Sequence, residues 1–234
     1  MIIKIGCCGW CESRERYFRD FGVIEIQEAF YQIPGVERVR RWREKAPEDF
    51  EFTLKASQLI THHPSSPTYR RLKEELKDRR YGSFQPSKGV FEAWERTREI
   101  AKILNVNVII FQSPSSFRPT QENKENMREF FDKIKRKGFI CAWEPRGDWE
   151  RKEIKDICDS LDLVHCTDPF KETPVSGGIN YFRLHGKPGY NLRYDYTEKD
   201  LLELKKFCDK EENYVFFNNL SMLKDAKNFR EMMK

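Results

Sequence analysis

Val106-Asn107-Val108-Ile109-Ile110-Phe111-Gln112, a charged segment of helical period over 124–136, and then Phe139-Ile140-Cys141-Ala142-Trp143-Glu144 decide the fold. The two runs are short, β-branched and aromatic, and the segment between them is too long for a hairpin and carries an amphipathic pattern. That is a strand, a crossover helix and a parallel strand. Working outward, the same rhythm recurs along the chain. The predicted strands are Ile2-Gly6, Val23-Gln27, Phe50-Lys55, Val106-Gln112, Phe139-Glu144, Leu163-Thr167, Tyr181-His185 and Tyr214-Asn218. The predicted helices are Gly35-Lys45, Thr68-Lys77, Phe91-Leu104, Lys124-Arg136, Lys152-Leu161 and Glu198-Lys210, with Thr120 and Thr197 as hydroxyl caps. Eight such strands imply an α/β fold closed into a (β/α)₈, TIM-barrel-like structure. The connections Cys11-Gly22 and Asp168-Asn180 are too short for a full helix, so the barrel is expected to be distorted at its first and sixth turns. No linker or repeat divides the chain, and one domain over 1–234 is the expectation.

Composition agrees with a large core. Of 234 residues, 38% are hydrophobic and 14% aromatic, while charged residues reach 35% against a usual share of roughly 25%. The interior must therefore be aromatic and the surface dense in opposite charges, a thermophile-like habit. No apolar run is long enough to span a bilayer, and Met1-Ile2-Ile3-Lys4 lacks the basic start and apolar stretch of a secretory signal. A cytoplasmic protein with no membrane partner is expected. The net charge is +5, but 43 basic residues against 38 acidic ones make a mixed surface that does not by itself imply nucleic acid. Seven cysteines in such a compartment are expected to be reduced thiols.

Side chains alternate across a strand, which lets each strand be tested for what it points inward. Val23, Glu25 and Gln27 share one face, as do Thr53 and Lys55, Val108, Ile110 and Gln112, Ala142 and Glu144, and Tyr181, Arg183 and His185. Polar groups come late and on one side only. Glu25, Lys55, Gln112, Glu144, Arg146, Asp168, Arg183, His185 and Asn218 thus converge on the C-terminal rim, where barrel enzymes carry their sites. The alternative is an ion-pair layer sealing the barrel top, since buried charges occur in pairs. In the active-site reading, Glu25, Glu144 and Asp168 supply a general acid and base or ligate a divalent metal. Lys55, Arg146 and Arg183 bind a phosphate or carboxylate. His185 shuttles protons, with His62 as a second candidate.

The same residues carry a resemblance. Gly9-Trp10, Val23-Ile24-Glu25-Ile26 with Phe30-Tyr31, Phe52-Thr53-Leu54-Lys55-Ala56 with Thr61-His62, Phe111-Gln112-Ser113-Pro114, Trp143-Glu144-Pro145-Arg146, Tyr181-Phe182-Arg183-Leu184-His185-Gly186 and Phe216-Phe217-Asn218-Asn219 together resemble the YecE-like family, domain-of-unknown-function family seventy-two. The resemblance implies a TIM-barrel-like fold and no established activity. Trp10 and Tyr31 join Lys55, His62, Gln112, Arg146, Arg183 and Asn218 as candidate substrate-binding residues. Two departures stand out: Cys7-Cys8 replaces the family's usual Thr-Ser, and Gln27-Glu28-Ala29 its Asn-Ser-Thr.

Two further features point elsewhere. Cys8, Cys11 and Cys166 could hold zinc or an iron–sulfur cluster, although neighbouring Cys7 and Cys8 must face opposite ways on a strand. The run Arg70-Arg71, Lys73 and Lys77-Asp78-Arg79-Arg80, beside Tyr69, Tyr81 and Phe84, is either a solvated helix face or a contact for a nucleic-acid backbone. The expectation is an enzyme performing acid–base or metal-assisted hydrolysis of a phosphorylated or carboxylated substrate at the rim. The alternatives are a nuclease or nucleic-acid-binding protein and a non-catalytic module binding an anionic small molecule.

Overall fold

Residues alternating along each strand sort into two apolar sets that do not mix. The computed structural model describes residues 1–76 and 80–234. Its strands are β1 (Ile2–Cys7), β2 (Val23–Ile26), β3 (Glu51–Lys55), β4 (Val108–Gln112), β5 (Ile140–Glu144), β6 (Val164–Thr167), β7 (Asn180–Leu184) and β8 (Glu212–Phe217). All pair in parallel in the order β1-β8-β7-β6-β5-β4-β3-β2, and a single bridge, Cys8 to Glu25, joins β1 to β2. The sheet is thereby a nearly closed (β/α)₈ barrel. Val23, Val108, Ile110, Ala142, Cys166, Tyr181, Tyr214 and Phe216 fill its inside. Ile24, Ile26, Phe52, Leu54, Ile109, Phe111, Trp143, Phe182 and Val215 face outward into the helices. Parity read from the sequence and parity in the fold coincide.

The helices are α1 (Arg14–Asp20), α2 (Glu28–Tyr31), α3 (Val36–Lys45), α4 (Gln58–Thr61), α5 (Lys88–Leu104), α6 (Gln121–Lys133), α7 (Arg151–Leu161), α8 (Glu198–Phe207) and α9 (Met222–Met232). Thr120 Oγ1 accepts the Asn123 N–H at 3.2 Å, and Thr197 forms a reciprocal capping box with Asp200, so both expected caps hold. The shell is aromatic, as composition required. Phe111 on β4 meets Phe130 and Phe131 of α6 with ring centroids 5.9 and 5.1 Å apart, each such pair adding roughly 0.5–1.5 kcal/mol beyond the area it buries. At the N-terminal end Lys4 plugs the barrel by pairing with Glu51 and with Glu212. No helix among the described residues is long and apolar enough to cross a membrane.

One predicted helix is corrected. Thr68-Lys77 has helical spacing at Tyr69, Leu72 and Leu76, yet only a 3₁₀ turn forms over Pro67–Arg71. Leu72 is extended, at φ −75° and ψ 126°, and the Lys73 N–H leaves the helical ladder to reach Gln32 Oε1 at 2.9 Å. Lys77, Asp78 and Arg79 lie outside the described residues. The first connection holds only the two turns of α1, and none of the described residues between β6 and β7 forms a helix, in line with the expected distortions.

Candidate functional site at the barrel rim

The innermost layer of the rim is an ion triad. Glu25 from β2, Glu144 from β5 and Arg183 from β7 all point inward, and all three are buried. Arg183 Nε donates to Glu25 Oε2 at 3.0 Å, and its Nη1 donates to Glu144 Oε2. Glu25 also accepts from the Tyr181 hydroxyl at 2.8 Å and from Gln27 Nε2. Glu144 accepts from Arg146 Nε and Nη2 at 3.3 and 3.1 Å. Burial alone would raise the Glu144 carboxyl. The positive charges of Arg183 and Arg146, aided by His185 and Lys55, hold it well below the usual carboxylate range. Burial opposes the Arg183 charge, but Glu144 and Glu25 more than offset it, so the guanidinium stays protonated. The sequence offers two readings of these residues: Glu25 and Glu144 as reactive groups with Arg183 as an anion binder, or an ion-pair layer sealing the barrel top. The structure seats Arg183 between the two carboxylates, as an ion-pair layer would, and every oxygen of that pair already accepts a strong donor.

Above this layer opens a cleft of about 780 Å³, a size suited to a small-molecule ligand. Lys55, Gln112, Arg146, His62, His185, Asn218 and Tyr31 all line it, so most of the residues expected at the rim do converge. Lys55 ends β3, and its side chain stands over the Phe30 ring with Nζ 3.8 Å from the centroid. Its one hydrogen-bond acceptor among the described residues is Gln112 Oε1 at 2.5 Å. Burial, reinforced by the Arg183 charge, brings this amine down to about 7. The two histidines are held neutral. His62, with Nδ1 2.8 Å from Thr61 Oγ1, is lowered to about 3 by burial and by the charges of Lys55 and Arg146. His185 falls to about 3 chiefly through burial, against the pull of Glu144. Its Nε2 faces Arg146 Nη2 at 3.2 Å, and because guanidinium only donates, the His185 proton is assigned to Nδ1. That Nδ1 lies 3.9 Å from Asp168 Oδ2 and has no hydrogen-bond partner among the described residues.

Asp168 belongs to a neighbouring cleft of about 350 Å³. Its oxygens accept the backbone N–H groups of His185 and Phe170 at 2.9 and 3.1 Å, and burial raises its carboxyl to about 6. The wall between the two clefts is Tyr190, which lines both. Its ring carries Arg146 at 4.3 Å and meets His185 edge-on at 4.7 Å. Periodicity could not find Tyr190, because it sits in a loop. The signal available was the turn sequence Gly186-Lys187-Pro188-Gly189 directly after a barrel strand. Gly186 has φ +83°, and a Cβ there would lie 2.0 Å from the Asn191 carbonyl oxygen, so only glycine lets this loop fold back to present Tyr190.

Other expected members fall elsewhere. Trp10 is absent from the cleft lining; it packs edge-on against Tyr17 and Phe18 at 5.4 and 5.6 Å, beneath Arg14. The cysteine trio is split by the two-residue period of β1. Cys8 faces the barrel interior with Cys166, whereas Cys11 interacts with Cys7, whose thiol reaches the Met222 carbonyl on the outer side. Burial pushes the Cys8 and Cys166 thiols far up, so both remain protonated. Among the described residues no three His, Cys, Asp or Glu side chains are grouped so as to hold a metal ion. In the basic stretch, Arg71 stacks on Tyr31 at 4.5 Å beside the cleft mouth, and Arg96 pairs with Glu74.

The chain has relatives in sequence and in fold. UPF0759 protein YunF of Bacillus subtilis (strain 168) is 24% identical over 280 residues, spanning 100% of this chain and 94% of the relative. A DUF72 family protein of Enterococcus faecalis V583 superposes with a TM-score of 0.74 at 20% identity, covering 99% of this chain and 97% of the other. One from Thermotoga maritima MSB8 gives 0.72 at 18%, covering 100% and 99%. More distant barrels share the fold, among them endonuclease IV of Thermus thermophilus, with a TM-score of 0.54 at 10% identity and coverage of 98% and 97%. The sequence profile described as protein of unknown function DUF72 matches residues 11–234, and the chain belongs to that family.

Proposed function

We propose that the cleft is the active site of an enzyme that binds a phosphorylated or carboxylated small molecule and acts on it by acid–base chemistry, with Lys55 exchanging the proton. The observation that carries this reading is the setting of Lys55: a buried amine on the cleft wall, facing an aromatic ring and one amide oxygen, with no ion pair to a carboxylate among the described residues. General acid–base groups work best when their pKa lies near the working pH. Charge supports an anionic substrate. Lys55, Arg146 and Arg183 against Glu25 and Glu144 leave one net positive charge while Lys55 is protonated, and Arg146 Nη1 remains unbonded among the described residues. Hydrolysis through Glu25 and Glu144 loses its support, because both carboxylates are engaged by Arg183. A divalent metal on those carboxylates would have to displace the same guanidinium.

Sulfate, whose own charge is constant near neutrality, tests the cleft. An anion stabilises the Lys55 ammonium and raises its pKa on binding. Sulfate affinity is therefore expected to be highest below pH 7 and to fall by up to about tenfold per pH unit above it. Thermal stabilisation by sulfate, measured from pH 6 to 9, reads this directly. A flat profile would remove Lys55 from the anion site.

A second reading has one specific support, the Arg71–Tyr31 stack beside the cleft mouth, which is the kind of platform on which a nucleobase packs. Endonuclease IV shares the fold. In that case a single-stranded oligonucleotide should be retarded in a gel, and the retardation should weaken steeply with added salt. Its absence at low salt would exclude this alternative.

A further inference from the structure

We propose that Lys55 is a covalent nucleophile: its amine condenses with the aldehyde or ketone carbon of the anionic substrate to form an iminium ion. This rests on the anion-cleft reading above and narrows its substrate to a carbonyl compound.

The geometry distinguishes Lys55 from other lysines of the chain. Lys4 is paired with Glu51 and Glu212, Lys124 with Glu153, and Lys187 with Asp200. Each of those ammonium groups is held by a carboxylate. Lys55 instead donates to an uncharged amide at 2.5 Å and stands over Phe30, while opening onto a cleft large enough for a ligand. A lysine in an apolar setting beside another cation is the arrangement that frees its lone pair for carbonyl attack. Here the second cation is Arg183, and the lowered pKa has the same two causes, burial first and Arg183 second. An ordinary lysine near 10.4 carries roughly three orders of magnitude less free amine at pH 7.

The step balances without an outside oxidant or reductant. The Nζ lone pair forms the C–N bond while the carbonyl π pair moves to oxygen. One proton passes from nitrogen to that oxygen, giving a carbinolamine. A second proton from solvent lets the hydroxyl leave as water with the C–O pair, and the nitrogen lone pair closes the C=N bond. The positive charge then sits on Nζ, where the Phe30 face already accommodates a cation. The substrate's own anionic group would be met by Arg146.

Pyridoxal 5′-phosphate is a suitable probe, since it joins an aldehyde to a phosphate. The native protein, treated with it at pH 7 and reduced with sodium borohydride, is expected to carry the adduct on the Lys55 peptide about tenfold or more faster than on any other lysine. Sulfate should protect Lys55, and K55R, verified as folded by circular dichroism, should lose that labelled peptide alone. Labelling spread over surface lysines with Lys55 unmodified would overturn the proposal. If Lys55 stays unlabelled while sulfate still stabilises the protein with the stated pH profile, the covalent step falls and the anion cleft stands. If both signals are missing, both fall.

Discussion

Arg183→Met is expected to cost about 3–5 kcal/mol of unfolding free energy, the usual effect of removing one partner from a buried ion network. The guanidinium is 1% exposed, and among the described residues it is the one cation bonded to both Glu25 and Glu144. Methionine fits the volume but leaves two carboxylates beneath the cleft, of which only Glu144 retains a cationic partner in Arg146. Urea denaturation measures the loss, and a change below about 1 kcal/mol would mean that water reaches these carboxylates. The pH dependence should weaken with it. In the native protein the Glu144 carboxyl lies below its unfolded value, so its contribution is present above the ordinary Glu range and is lost as the pH falls. Without Arg183 the first of the charges that lower the Glu144 carboxyl is gone, so the variant should lose less stability than the parent on acidification. Replacing all three residues with apolar ones of similar size should recover most of the loss, because the triad is needed to satisfy itself rather than to hold the barrel together.

Lys55→Met should do the opposite to stability and sharply reduce turnover. An amine lowered to about 7 in the folded state against an unfolded value near 10.4 binds its proton less tightly when folded. Below pH 7 the protonated amine therefore destabilises the native state. The handicap shrinks as pH rises from about 7 to 10, where the unfolded chain also releases its proton. The variant is expected to be more stable than the parent by about 2–4 kcal/mol at pH 6–7, with the two converging near pH 10. Denaturation midpoints at five pH values across that range test this. A difference independent of pH, or a variant less stable at every pH, would show that folding does not lower the Lys55 amine. On a substrate found through the anion site, kcat should fall by roughly 10²–10⁴, the span of a lost acid–base group. Gaining stability while losing activity marks a residue kept for chemistry rather than for folding.

The rim was legible because the two-residue period of a strand places Glu25, Lys55, Glu144 and Arg183 on the inner face without further information. Which of them pair was not legible. Glu25 and Arg183 are separated by 158 positions and lie on strands that are not neighbours in the sheet, so no local pattern relates them. The sequence therefore offers an ion-pair layer as one reading of Glu25, Glu144 and Arg183 without naming the pairs. Loop residues escaped for another reason. Tyr190 takes φ +46° in a turn set by left-handed glycines, and periodicity says nothing about such a segment. Thr68-Lys77 shows periodicity overruled, since one side chain, Gln32, captures the N–H that a helix would need. Helix α9 is the reverse case: Met222, Ala226 and Phe229 have helical spacing, and the sequence reading placed no element there.

The order of strands also sets a timetable. β1 aligns along its whole length with β8, Ile2 opposite Glu212 through Cys7 opposite Phe217, and meets β2 through a single bridge. β1 thus leaves the ribosome with its main partner about two hundred residues behind it. At ordinary synthesis rates it waits on the order of ten to forty seconds for that partner. During that interval Ile3 and Ile5 lack their β8 partners, so this segment of the nascent chain is open to edge-to-edge pairing with other chains.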